Sequence, residues 1–162
     1  MTLVQPFYDT ETTMTVTNLH SLANSATAGW QSDVVDNSVN LYLDAMVQVV
    51  LDFANTAPSS DKCVYVYAYA GLSTVYSNPA SGAQGTITLT SIASNPQNLR
   101  LIGVIPYTTQ DEVAESSPMS VAAAFGGILP PSWGIVIINF SGAALAASGN
   151  TVKWRGTSLS VI

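Results

Sequence analysis

Leu41-Tyr-Leu-Asp-Ala-Met-Val-Gln-Val-Val-Leu-Asp-Phe53 decides the fold class. Leu41, Leu43, Ala45, Val47, Val49, Leu51 and Phe53 fall on one side of an extended chain, and Tyr42, Asp44, Met46, Gln48, Val50 and Asp52 on the other. A period of two belongs to a strand with one buried face, because successive side chains point to opposite faces. Asp44, Gln48 and Asp52 would also line one face of a helix, so an amphipathic helix is the competitor. The Val content favours the strand.

Downstream, Cys63-Val-Tyr-Val-Tyr-Ala-Tyr-Ala70 places Tyr65, Tyr67 and Tyr69 on one face and Val64, Val66 and Ala68 on the other. Further strands are expected over Leu72–Tyr76, Thr86–Ser91, Leu99–Ile105, Met119–Phe125, Trp133–Phe140, Thr151–Gly156 and Leu159–Ile162. Clusters of Gly, Pro, Asn and Ser separate them, at 55–61, 78–85, 94–98, 127–132 and 148–150. Those residues supply the backbone angles and local hydrogen bonds of turns. About eight short strands with regular turn signals predict an all-β protein, an antiparallel two-sheet β-sandwich. A jelly-roll arrangement suits the strand count and length best, with an immunoglobulin-like sandwich second.

The sandwich is expected over residues 29–162. Residues 1–28 read as an N-terminal arm, rich in Thr, Asn, Ser and Ala, with a short extended stretch at Thr12–Thr17. Such a segment either adds a strand, to its own domain or to a neighbour, or is a floppy terminus. Asn18–Ala26 is also compatible with a short capped helix. The acidic Gln110-Asp-Glu-Val-Ala-Glu115 lies in a connector expected to cross one end of the sandwich or to form a solvated helical turn.

Composition narrows function. The chain has 162 residues, four Lys+Arg, ten Asp+Glu and a net charge of −6, with 48% hydrophobic residues. Disorder is disfavoured, since disordered chains are poor in apolar residues. Lys62, Arg100, Lys153 and Arg155 are too few to neutralise a phosphate backbone, so no nucleic-acid partner is expected. Residues 116–152 carry no charge, but Gly126, Gly127, Pro130, Pro131, Gly134 and Gly142 break them up too often for a spanning helix. No membrane partner is expected, and the N-terminus shows no secretion signal.

Catalytic constellations are sparse, and no enzyme activity or cofactor is expected. His20 is the single imidazole and lies in the arm, while Cys63, the single cysteine, starts a strand as a small apolar residue. Neither provides a structural zinc site. Asp33 with Asp36 occupies a turn, and Asp44 with Asp52 lines an outward strand face, so neither pair reads as a glycosidase dyad. Asp33, Asp36, Asn37 and Asn40 offer oxygen ligands without the spacing of a calcium loop. Asn139-Phe-Ser141 matches a glycosylation acceptor inside an apolar strand. The stripe Tyr65, Tyr67, Tyr69 either stacks sugars or is half-buried at a subunit contact or under the arm; a covered contact suits a chain this poor in charge. Phe125, Leu129 and Trp133, around the Gly126–Trp133 turn, complete the candidate interface.

Four segments carry a family resemblance: Gly29-Trp-Gln-Ser-Asp-Val-Val-Asp-Asn37, Val64–Ala70, Ala123-Ala-Phe-Gly-Gly-Ile-Leu-Pro-Pro-Ser-Trp133 and Asn139-Phe-Ser-Gly-Ala-Ala-Leu145. Over residues 30–156 the chain resembles the small virion structural proteins of tailed bacteriophages, especially jelly-roll capsid decoration (cement) proteins. The resemblance implies a protein made in the host cytoplasm and mounted on the capsid exterior. It would there bridge and stabilise subunits of the major capsid protein, as a dimer or trimer. A tail, baseplate or head–tail component is the alternative, and a glycan-binding module another. The negative charge favours the outside of a DNA-filled shell.

Overall fold

The computed structural model describes residues 3–73, 79–89 and 99–161. Among them run twelve strands: β1 (Val4–Tyr8), β2 (Thr12–Thr13), β3 (Ala28–Gln31), β4 (Val35–Asp36), β5 (Asp44–Asp52) and β6 (Cys63–Gly71). Then follow β7 (Gly85–Thr88), β8 (Leu99–Pro106), β9 (Val113–Glu115), β10 (Met119–Ser120), β11 (Ser132–Phe140) and β12 (Thr151–Val161). The first sheet has the order β1-β12-β5-β10, with β2 on β12 and β9 on β5. The second has the order β7-β3-β11-β6-β8, with β4 on β11. All pairings are antiparallel. The protein is an all-β sandwich of two antiparallel sheets.

The alternation in β5 becomes a burial pattern. Ala45, Val47, Val49, Leu51 and, just beyond, Phe53 face the core, while Asp44, Met46, Gln48, Val50 and Asp52 are half-exposed. Across the sandwich Val64, Val66 and Ala68 of β6 meet them, with Trp133, Ile135 and Ile137 of β11. Each such aliphatic side chain contributes about 1.5–3 kcal/mol on burial. β11 is buried on both faces, as its unbroken apolar run requires. A second cluster therefore lies on the outer face of its sheet, where Tyr67 and Tyr69 meet Val136, Ile138, Ala80, Ile87, Leu89 and Leu99. Close packing there needs glycine at 134, because a Cβ would collide with the Tyr69 ring.

Several boundaries differ from the sequence expectation. Leu41, Tyr42 and Leu43 precede β5 rather than belonging to it. The strand expected over Met119–Phe125 stops at Ser120 and becomes a single 3-10 turn, Ala122–Phe125. Asp44 causes this: its carboxylate accepts from the Ser120 hydroxyl (2.7 Å) and the Ala122 amide (2.8 Å), and Gly126 closes the turn at φ +84°. The two strands expected after residue 150 are one, β12. Leu72 and Ser73 form a bend, and the rest of the strand expected to Tyr76 lies outside the described residues, as do 94–98 and the end of the strand expected at Thr86–Ser91. Asn18–Ala26 is turns, not helix.

The arm belongs to the molecule. β1 and β2 both pair with the outer edge of β12, and Met14, Leu19 and Leu22 enter the main core. The boundary expected after residue 28 falls at the start of β3, and of the segment before it Met14, Leu19 and Leu22 are buried. Asn139, fully buried, fastens the arm by donating to the carbonyls of Leu22 (3.0 Å) and Ala143 (2.7 Å). A sugar has no access to it.

Candidate functional site

The chain reverses at one end of the sandwich through the loop 37–43, the segment 121–131 and the end of β6. Asn37 builds the first loop. Its amide donates to the Tyr42 carbonyl (3.0 Å), its Oδ1 accepts from the Tyr42 amide (2.8 Å), and its own carbonyl accepts from the Leu41 amide (3.0 Å). The loop is thus clamped at its base by a side chain that is 4% exposed. It holds Leu41 in the left-handed region at φ +53°, which disfavours any residue with a Cβ. The Leu129 amide donates to the Leu43 carbonyl (2.9 Å) and the Asn37 amide to the Pro131 carbonyl (2.8 Å), which joins the two loops.

Several large apolar side chains are exposed at this end. Val39 is 81% exposed, Leu41 69%, Ile128 71% and Leu72 91%, with Leu43 half in water beside them. A cleft of about 320 Å³ lies between Leu72, Phe125 and Pro130, with Arg100 at its side. A clamped loop and a Pro-Pro segment keep these side chains displayed instead of letting them collapse inward. The first sheet overhangs the same end. Thr157 pairs with Asp44 at the start of β5, so β12 continues four residues beyond it, to Val161, where among the described residues β1 is its one strand partner. Every residue of β1 is exposed, and Leu3, Val4, Phe7, Tyr8 and Leu159 add apolar surface there.

Of the six residues expected to form an interface, one lies on this end. Phe125 is half-buried against the cleft. Leu129, Trp133 and Tyr69 are buried; Trp133 sits edge-on to Trp154 with ring centroids 5.2 Å apart, and the Tyr69 hydroxyl donates to the Ser32 carbonyl (2.9 Å). Tyr67 is buried in the second cluster, under chain supplied by residues 80–89. Tyr65 stays half-exposed, with its hydroxyl donating to Asp61 (2.7 Å); the Cys63 sulfur, and then the Asp61 carboxylate, push that hydroxyl above its ordinary pKa. Of the stripe, Tyr67 and Tyr69 thus pack inside the chain, under residues 80–89 and not under the arm, while Tyr65 keeps part of its surface exposed. Val39, Leu41, Leu43, Leu72 and Ile128 were missed as surface: Leu41 and Leu43 were read into the alternating strand and Leu72 into the strand expected to Tyr76, while Ile128 stood isolated in the Gly-Pro turn.

The titratable side chains singled out in the sequence serve local structure. His20 faces the Asn150 amide at 3.1 Å, Asp33 accepts from the Gln84 amide (2.8 Å), and Asp36 from the Ser38 amide (2.8 Å). Among the described residues no group of three or more His, Cys, Asp or Glu stands close enough to hold a metal ion. Among them, too, no helix is long and apolar enough to cross a membrane.

One further depression lies on the outer face of the first sheet. It has a volume of about 440 Å³ and is lined by Tyr8, Glu11, Met46, Gln48, Lys153 and Arg155. Lys153 pairs with Glu11 at 2.8 Å, and this ammonium, with Arg155 beyond it, holds the Glu11 carboxyl below its usual pKa.

The fold is a two-sheet β-sandwich, and one end of it exposes Val39, Leu41, Leu43, Leu72 and Ile128. Comparison of the chain with protein-family models, with curated proteins and with solved structures finds no match.

Proposed function

We propose that the protein is a non-enzymatic structural component of a tailed-bacteriophage virion, which adheres to the outside of the capsid and bridges major capsid protein subunits. The observation that carries this is a group of exposed apolar side chains at one end, Val39, Leu41, Leu43 and Ile128 on the two joined loops and Leu72 just past β6, with Asp9, Asp36, Asp44 and Arg100 as the charges near them among the described residues. Isolated exposed leucines are ordinary, but several large apolar side chains on two loops tied to each other by backbone hydrogen bonds suit a surface that is covered in an assembly. The strand order supports a jelly-roll wiring. Leaving out β7, β2 and β4, consecutive strands give β1-β12-β5-β9/β10 facing β3-β11-β6-β8, the double-sheet pattern with two Greek keys. A net charge of −6 suits the exterior of a shell filled with DNA.

Cryo-electron microscopy of the virion in which the chain occurs tests the proposal. Hundreds of copies on the shell, with loops 37–43 and 121–131 against capsid subunits, are the expected result. Six or twelve copies at the head–tail junction or in the tail would move the protein to the alternative role, and its absence from particles would end both. Ile128→Asp should lower occupancy about tenfold or more, because the loss of one buried aliphatic side chain is worth about 1.5–3 kcal/mol.

A glycan-binding role is the second reading, favoured now by the depression at Tyr8, Gln48, Lys153 and Arg155 and not by Tyr65, Tyr67 and Tyr69. A glycan array that stays blank removes it.

A further inference from the structure

We infer that β1 is an exchangeable strand, and that the protein pairs with a second copy of itself by laying β1 of each chain along β12 of the other. The starting point is how little β1 does at home. All five of its residues are exposed, so its side chains bury nothing in the main core or the second cluster, and the backbone ladder to β12 holds it. A lone molecule would order this strand and still leave Leu3, Val4, Phe7, Tyr8 and Leu159 in water.

The junction behind it is built as a pivot. Asp9 donates its amide to the Gly156 carbonyl (2.9 Å), and Thr12 lies opposite Trp154. Thr10 and Glu11 therefore stand against Arg155 alone, a two-for-one bulge at which a strand changes direction. Beyond the bulge the chain is anchored, because β2 pairs with β12 and Met14 is buried. The mobile unit thus ends near residue 9.

Pro6 selects the partner. The Asp9–Gly156 bond sets the parity, so odd residues of β1 turn their backbone groups to β12 and Val4, Pro6 and Tyr8 turn theirs to the free edge. Proline has no amide hydrogen, so the middle donor of that edge is missing and a foreign strand adds poorly. The edge of β12 itself is the well-made acceptor, and each copy carries one with the register that β1 fits, Val4 to Val161 and Tyr8 to Thr157. Exchange keeps every ladder bond, brings the two overhangs together, and covers apolar surface that one copy leaves wet.

This inference does not rest on the virion reading, and one experiment separates them. Tyr8 and Thr157 are directly opposed, in the geometry of a non-hydrogen-bonded pair, whose Cα spacing suits a disulfide. Tyr8→Cys with Thr157→Cys, in the full chain carrying Cys63→Ala, is oxidised and run on a denaturing, non-reducing gel. Chains linked to one another are expected as the main product. A main product of single chains closed on themselves overturns the exchange. As a second measurement that tolerates a poorly folding variant, light scattering of the chain lacking residues 2–9 should show half the mass of the full-length protein, with its β-sheet circular dichroism kept. Equal masses for the two forms would also overturn it. Ile128→Asp should leave the pair intact while lowering capsid occupancy, so that failure of one proposal is visible without the other.

Discussion

At position 41 a leucine holds φ +53° with its side chain mostly in solvent, an arrangement that neither backbone sterics nor burial rewards. Glycine would adopt that angle freely, at the cost of more chain entropy in the unfolded state. Leu41→Gly should therefore change folding stability by no more than about 1 kcal/mol in urea titration while reducing capsid occupancy. A large loss of stability would show that Leu41 is part of the fold and not of a contact. Asn37 behaves in the opposite way, because its side chain makes two buried backbone bonds. Asn37→Ala should cost about 1–3 kcal/mol, read as a shifted urea midpoint.

The carboxylates belong to the same scale. Asp9 is held below its usual pKa by the Tyr42 hydroxyl first, Glu11 by Lys153, Asp36 by Ser38, and Glu112 by the Thr109 and Thr108 amides. For a carboxyl lowered by folding, the stabilisation is present above its unfolded value, 3.8 for Asp and 4.5 for Glu, and is lost as pH falls through the folded value. Urea midpoints should stay level above about pH 5 and fall below about pH 4. A midpoint that rises on acidification contradicts these bonds.

Among the elements, those whose partners lie across a regular ladder were the ones local sequence could reveal. Residues 44–53 alternate, and 132–140 form a continuous apolar run between turn residues, so β5 and β11 were legible. Trimming Ile137 to Ala should cost about 2–5 kcal/mol, since it faces the main core with no solvent access. Met119–Phe125 was misread because Asp44, remote in sequence, bends it into a 3-10 turn. The tyrosine stripe of β6 was read with the right period and the wrong cover. Tyr67 and Tyr69 do share a face, but Ala80 from the expected connector and Ile87 and Leu89 from the strand expected over Thr86–Ser91 fold over it and bury it. The apolar end escaped for a similar reason. Leu41 and Leu43 continue the period of β5 in sequence, but the strand begins only at Asp44, and the loop 37–43 is instead bonded through Asn37 and Leu43 to Pro131 and Leu129, which leaves them exposed.

For the molecule as a whole, β1 and β12 set the residues near both chain ends side by side, Val4 against Val161, along the overhang. The turn Asn55–Ser60 follows β5 and so stands at the opposite pole, with Ala57 in solvent. Anything genetically fused at either end would be wedged into the contact region, whereas an epitope inserted between Ala57 and Pro58 should ride outward without disturbing assembly. A cargo-bearing particle would thus be engineered through an interior loop, with the customary terminal tag left off.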